Sequence, residues 1–232
     1  MEFTYEQIAK MIDHSLLNPI LTDKELDEGC LLARRYDVAS VCIKPYYLKR
    51  CVELLAGSTV APSITIGFPH GGHTTAMKVF EAQEGVRDGA AELDMVVNIG
   101  KVLGGDWNFV RSDIASVVKV AHDGGGLIKV IFENCYLTDQ QKIALCEICG
   151  ELKVDFVKTS TGHATGGATI EDLKLMRAHS PAHVQVKAAG GVRTLDDLLN
   201  VRALGVTRVG ATRTASMLDE CKRRLGLDSP RV

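Results

Sequence analysis

Short β-rich runs alternate with helical ones along the whole chain, and this alternation narrows the possible folds more than any other feature. Eight such runs occur, at 12–16, 39–43, 63–67, 92–97, 127–132, 156–159, 184–188 and 207–210. Helix starts between them carry caps: Thr22 with Glu25 and Thr138 with Gln141 as capping boxes, Thr169 with Asp172 and Thr194 with Asp197 as shorter acidic versions. Gly57, Gly89 and Gly205 fall at the junctions. When a helix returns the chain after every strand, the strands must run parallel. Eight units in 232 residues, with no Pro/Ser-rich linker between halves, predict a single domain spanning 1–232: a (β/α)8 TIM barrel rather than an open doubly wound sheet. An extra helix at about 4–11 is expected to close the barrel's bottom, and about 227–232 to form a short tail.

Polar residues in these strands keep to one parity. Successive side chains point to opposite faces, and in a barrel one face meets the helices and the other the interior. The first face holds Leu93, Met95 and Val97; Ile128, Val130 and Phe132; Val157; and Val184 with Val186. The second holds Glu92, Asp94 and Asn98; Lys129 and Glu133; Lys158 and Ser160; and Gln185 with Lys187. The interior is therefore expected to be charged. A barrel of this kind builds its chemistry at the C-terminal strand ends, where Asp94, Lys158 and Lys187 would lie.

Three of the interior residues are lysines, at 129, 158 and 187, in steps of 29. A lysine within an apolar run is unfavourable unless its ammonium is paired or sheds its proton, and the neutral amine attacks aldehydes and ketones. With an ordinary pKa near ~10.4 it is almost wholly cationic at neutral pH, but desolvation and a second ammonium both depress that value. Lys158 and Lys187 on neighbouring strands supply such a pair. Asp94, on the same face, can hold the second lysine charged and relay protons through a water. The same residues also suit an inert set of ion pairs, Lys187 with Asp94 and Lys129 with Glu133 or Glu92. That structural role is the expectation for Lys129, which lies deeper in its strand.

The loops favour chemistry at the other two lysines. Lys158 is followed by Thr159-Ser160-Thr161-Gly162-His163, Lys187 by Ala188-Ala189-Gly190-Gly191-Val192-Arg193, and the last strand ends in Gly210-Ala211-Thr212. Glycine- and hydroxyl-rich loops leading into helix N-termini present N–H groups to an anion, and the loops after strands seven and eight are where this architecture holds phosphate. The anion site must be local, because a formal net charge of −2 from 27 basic and 29 acidic residues leaves no extended surface for nucleic acid or anionic membrane. No stretch approaches the ~18 uncharged apolar residues that span a bilayer, and the first residues lack leader character, so a cytoplasmic protein is expected. Seven scattered cysteines are expected as free thiols; Cys146 and Cys149 have redox or zinc spacing but fall mid-helix without a second pair.

From about Asp13 to Leu225 the chain resembles the deoxyribose-phosphate aldolases, class I aldolases of the barrel fold. The likeness is carried by Asp13-His14-Ser15-Leu16-Leu17, Val41-Cys42-Ile43-Lys44-Pro45-Tyr46-Tyr47, Gly67-Phe68-Pro69, Glu92-Leu93-Asp94-Met95-Val96-Val97-Asn98, Lys129-Val130-Ile131-Phe132-Glu133, and the two lysine-led loops at 156–162 and 187–194. It implies reversible cleavage of 2-deoxy-D-ribose 5-phosphate to D-glyceraldehyde 3-phosphate and acetaldehyde, with neither metal nor organic cofactor. Lys158 would be the Schiff-base nucleophile, Lys187 would lower its pKa, and Asp94 would work with Lys187 and a water in proton transfer. Gly162, Gly190, Gly191, Gly210 and Thr212 would hold the phosphate, with Asp13, Ser15, Cys42 and Thr159 lining the pocket. The implied partners are a phosphorylated sugar and acetaldehyde, not nucleic acid or membrane, with a homo-oligomer, a dimer, as the assembly. A Schiff-base aldolase for another phosphorylated sugar, or a silent sugar-phosphate-binding barrel, are alternatives on the residues alone.

Several positions depart from the family pattern. Asn18 stands where lysine is common and Lys44 where asparagine is common, two swaps expected to compensate. His70 and His73 are expected as solvated loop residues, and His163 stands beside the Schiff-base loop where the family has an aromatic or lysine. Ala211-Thr212-Arg213-Thr214 replaces a serine-rich segment, so Arg213 either contacts phosphate or caps the rim. The tail Asp228-Ser229-Pro230-Arg231-Val232 lacks the tyrosine that some members carry.

Overall fold

Eight parallel strands pair in chain order until the last meets the first: β1 (Ile12–Leu16), β2 (Ser40–Ile43), β3 (Ala61–Ile66), β4 (Glu92–Val96), β5 (Leu127–Ile131), β6 (Phe156–Lys158), β7 (Gln185–Ala189) and β8 (Arg208–Ala211) close into a barrel. The structure is a computed structural model and describes residues 3–227; the tyrosine-free segment 228–232 lies outside the described residues. All eight expected strands are present, their ends displaced by two residues at most. The interval helices are α2 (Asp23–Tyr36), α3 (Leu48–Leu55), α4 (Thr75–Arg87), α5 (Ile99–Leu103), α6 (Trp107–Asp123), α7 (Asp139–Glu151), α8 (Ile170–His179), α9 (Leu195–Ala203) and α10 (Thr214–Arg224). They follow α1 (Tyr5–Ala9), the extra N-terminal helix, which buries Ile8 and packs on α10.

Helix starts follow the caps. Thr22, Thr138 and Thr194 form reciprocal boxes with Glu25, Gln141 and Asp197, while the Thr169 hydroxyl accepts from Asp172 N. In each case an orphan first-turn N–H gains an oxygen, a contribution of about 1 kcal/mol. Gly57, Gly89 and Gly205 adopt φ of 73°, 102° and 87°, the left-handed turn that ends a helix without Cβ strain.

The parity reading holds. Leu93, Met95, Val97, Ile128, Val130, Phe132, Val157, Val184 and Val186 all belong to the hydrophobic layer between sheet and helices. The opposite parity is charged and buried: Glu92, Asp94, Lys129, Lys158 and Lys187 are each 3 % exposed or less. Register makes Asp94 the direct partner of Lys129 and Lys158 that of Lys187. Asn98 departs from the expected interior set, because it follows the end of β4 and its side chain instead caps α5 at Lys101 N. Cys146 and Cys149 are free and buried in α7, where burial pushes both thiols up, Cys146 to about 11. A thiol that resists ionisation is a poor nucleophile or ligand. Among the described residues no helix is long and apolar enough to cross a membrane.

Candidate active site

Asp94 is the hub of the barrel interior. Its Oδ2 accepts from Lys158 Nζ and from Lys187 Nζ, each at 2.7 Å, and its Oδ1 from Lys129 Nζ at 2.7 Å. Lys187 also pairs with Asp13 Oδ2 at 2.5 Å, and Lys129 with Glu92 at 2.5 Å and Asp13 at 3.6 Å. Arg208, entering from β8, bridges Asp13 at 2.5 Å and Glu92 at 3.1 Å. Ser40 Oγ donates at 2.7 Å to Asp13 Oδ1, the oxygen that Arg208 also engages. Each strand contributes what its parity dictates, and closure brings the groups together.

These contacts do not treat the lysines alike. Lys129 touches three carboxylates and Lys187 two, whereas among the described residues Asp94 is the one carboxylate within ion-pair reach of Lys158. Burial presses all three ammoniums toward neutrality. At Lys158 burial wins: the amine is held below the ordinary lysine value, with Lys187 adding repulsion and Asp94 opposing. At Lys187 and Lys129 the burial effect is outweighed by Asp13, Asp94 and, for Lys129, Glu92, so both stay cationic. Burial would raise the Asp94 carboxyl, yet the three ammoniums hold it well below the usual carboxylate range. The expected pairing of a depressed and a charged lysine is thus present, with desolvation the larger cause and the neighbouring cation the second.

Above this floor opens a cavity of about 420 Å³. Lys158 and Lys187 rise into its base; Asp13, Ser15 and Cys42 form one wall, and Gly162, Gly190, Gly191, Gly210 and Thr212 the rim. Gly162, Gly190 and Gly191 have φ of 85°, 78° and 96°. At Gly190 a Cβ would also lie 2.9 Å from Gly167 Cα, so the rim needs glycine both for its dihedral and for this backbone approach. The N-terminus of α9 is already occupied, since Asp197 accepts from Arg193 N and Thr194 N at 3.0 and 2.9 Å. That of α10 has no side-chain cap, leaving first-turn N–H groups beside Thr212 for an anion.

Ten of the twelve residues singled out in the sequence line the cavity. Asp94 lies beneath its base, touching both lysines. Thr159 is a correction: it does not line the cavity but is fully buried, exchanging hydrogen bonds with Ala189 O and N at 3.1 and 3.0 Å. Its parity is that of Val157, which turns it away from the interior. Glu133 also departs from expectation. Its φ of 60° ends the strand geometry after Ile131, and the carboxylate meets Thr161 N at 3.2 Å and the Thr161 hydroxyl instead of Lys129. Arg213 stands outside the cavity at the rim of α10, while Arg193 lines it. Lys44 Nζ donates to the carbonyls of Asn18 and Leu21, so the two exchanged positions do meet. His70 and His73 are exposed, and His163 lines the cavity with its ring edge-on to Phe68. Arg208 was missed, although extending the parity rule from Gly210 back along β8 places it inside.

A family model described as DeoC/LacD family aldolase matches residues 7–212. The deoxyribose-phosphate aldolase of Rhodopirellula baltica is 62 % identical over 226 residues, covering 97 % of this chain and 94 % of that protein. That of Thermococcus gammatolerans is 47 % identical over 207 residues, covering 88 % and 92 %. Among solved structures, the tetrameric deoxyribose phosphate aldolase of Aeropyrum pernix superposes with a TM-score of 0.87 at 28 % identity, covering 94 % of this chain and 92 % of that one.

Proposed function

The chain belongs to the DeoC/LacD family of aldolases, and from that premise we infer that it cleaves 2-deoxy-D-ribose 5-phosphate reversibly to D-glyceraldehyde 3-phosphate and acetaldehyde through a Schiff base. The observation that carries the reading is the Lys158 amine: it faces the cavity with a single carboxylate contact and is held below the usual lysine range.

The neutral Lys158 Nζ adds to the C1 aldehyde of the open-chain sugar, and loss of water gives an iminium. A base takes the proton of the C3 hydroxyl, the C2–C3 bond breaks, and its electrons pass into the iminium to form an enamine while glyceraldehyde 3-phosphate departs. Protonation of the enamine at C2 and hydrolysis of the iminium release acetaldehyde and restore the amine. Asp94 and Lys187, with a water, move the C2 proton, a role supported by Asp94 Oδ2 accepting from both Lys158 and Lys187. Asp13 keeps Lys187 charged throughout. The glycine rim, Thr212 and the open end of α10 hold the phosphate, with Asp13, Ser15 and Cys42 against the sugar.

Borohydride reduction in acetaldehyde, followed by peptide mass mapping, should place the adduct on Lys158, and Lys158→Ala should abolish turnover without unfolding the chain. An adduct on another lysine would overturn the assignment. A cytoplasmic homodimer belongs to the same proposal: Met77 and Phe80, one turn apart on α4, are each 52 % exposed and supply apolar contact area. Light scattering of a monomer or tetramer would exclude the dimer.

A further inference from the structure

Lys129 has no part in the steps above, yet it is fully buried at the base of the site and holds the Asp94 oxygen that the other lysines leave free. The contiguous interior set comprises three carboxylates, Asp13, Glu92 and Asp94, against four bases, Lys129, Lys158, Lys187 and Arg208. A buried cluster resists net charge, so one proton is surplus, and the base with the fewest anionic contacts gives it up. That base is Lys158. Resting on the reading of Lys158 as nucleophile, we propose that Lys129 is an electrostatic positioning residue: by engaging Asp94 Oδ1 and Glu92 it makes Lys158 the surplus cation of the barrel interior and keeps its amine available.

The groups facing Lys158 bear this out strand by strand. Asp94 and Lys187 touch it or its partner directly, while Glu92, Lys129, Asp13 and Arg208 complete the network beneath. Cys42 on β2 is the other titratable group nearby, and burial pushes its thiol up, so it adds no charge. Between β2 and β4, β3 offers hydroxyls: Ser63 donates to Asp94 Oδ1 at 3.4 Å. If Lys129 lost its charge, three carboxylates would face three bases, and the interior would balance only with Lys158 protonated. Removing Glu92 at the same time would restore the surplus.

The test is the pH dependence of acetaldehyde adduct formation, measured by borohydride trapping with the adduct quantified at each lysine by peptide mass, in Lys129→Met, Glu92→Gln and the double variant. Lys129→Met should move the Lys158 midpoint up by about one to two pH units, making trapping at neutral pH at least roughly tenfold slower. Glu92→Gln should move the midpoint down, the double variant should return it toward the wild-type value, and Lys129→Arg should leave it in place. A midpoint that is the same in all variants, with only the yield reduced, would reduce Lys129 to a structural ion pair and overturn the inference. Should Lys129→Met fail to fold, Glu92→Gln and the double variant decide it: identical midpoints in those two have the same overturning force. A wild-type adduct on another lysine instead removes the premise, and the inference with it.

Discussion

Replacing Lys187 by methionine gives the most direct measure of how the site tunes its nucleophile. Lys158 Nζ and Lys187 Nζ each lie 2.7 Å from the same oxygen of Asp94, so the two nitrogens are no more than about 5.4 Å apart. At an effective dielectric constant of ~20, two unit charges at that separation repel by roughly 3 kcal/mol, or about two pH units in the ionisation of Lys158. Both groups are fully buried, so solvent screening does little to reduce this. Methionine keeps the stem and removes the charge; it also frees Asp94 to favour the protonated form of Lys158, which acts in the same direction. The ascending limb of the pH–rate profile on deoxyribose 5-phosphate is therefore expected to move up by about two units, lowering kcat/KM on that limb by up to about 100-fold, with part of the loss recovered toward alkaline pH. Lys187→Arg should retain most of the wild-type profile. A methionine variant whose rate falls equally at every pH, with no displacement of the limb, would refute the tuning and leave Lys187 as a proton donor alone.

Other substitutions separate the remaining roles. Asp94→Asn should slow turnover more than Lys158 trapping, because the amine survives while the proton path is lost; the two buried ammoniums of Lys129 and Lys187, left without their shared carboxylate, should also lower stability by about 3–5 kcal/mol in urea unfolding. Gly190→Ala places a side chain at φ of 78° and its Cβ 2.9 Å from Gly167 Cα, costing about 1–2 kcal/mol before any clash is relieved; KM for the phosphorylated sugar should rise while acetaldehyde trapping is unchanged. His14, buried between β1 and α10 with Nδ1 2.8 Å from the Thr214 hydroxyl, is held neutral, burial bringing its pKa from 6.5 to about 4. The unfolded chain binds that proton first as pH falls, so the contribution is whole above pH ~6.5 and is lost progressively down to pH ~4, at most about 3 kcal/mol. His14→Asn should flatten the slope of unfolding free energy across that window; an unchanged slope would show the imidazole is not the group responsible.

Much of this architecture was legible because period-2 and capping patterns are local. Parity alone put Asp94, Lys129, Lys158 and Lys187 on one face, and the threonine caps marked where four helices begin. What stayed hidden came from backbone that leaves the regular strand, or from a wall assignment taken by resemblance against the strand's own parity. Glu133 breaks parity through its left-handed φ and turns to Thr161, and Thr159, assigned to the wall by resemblance, follows the outward parity of Val157. The partner of each charge was likewise out of reach, since register across the barrel decides it. Asp13 could be placed at the pocket but not against Lys187 and Arg208 until β8 lay beside β1.

The seam between β8 and β1 carries a further implication for how activity can arise at all. Arg208 and Asp13 are separated by 195 residues, and Arg208 also pairs with Glu92 alongside Lys129. During synthesis the acids of the first half are made long before the last guanidinium that neutralises them, and such distant pairings form late and slowly. A polypeptide ending short of position 208 would lack both the closing stave and its counter-charge. Competence should thus appear in one step at completion of the ring, with no partly active fragment preceding it.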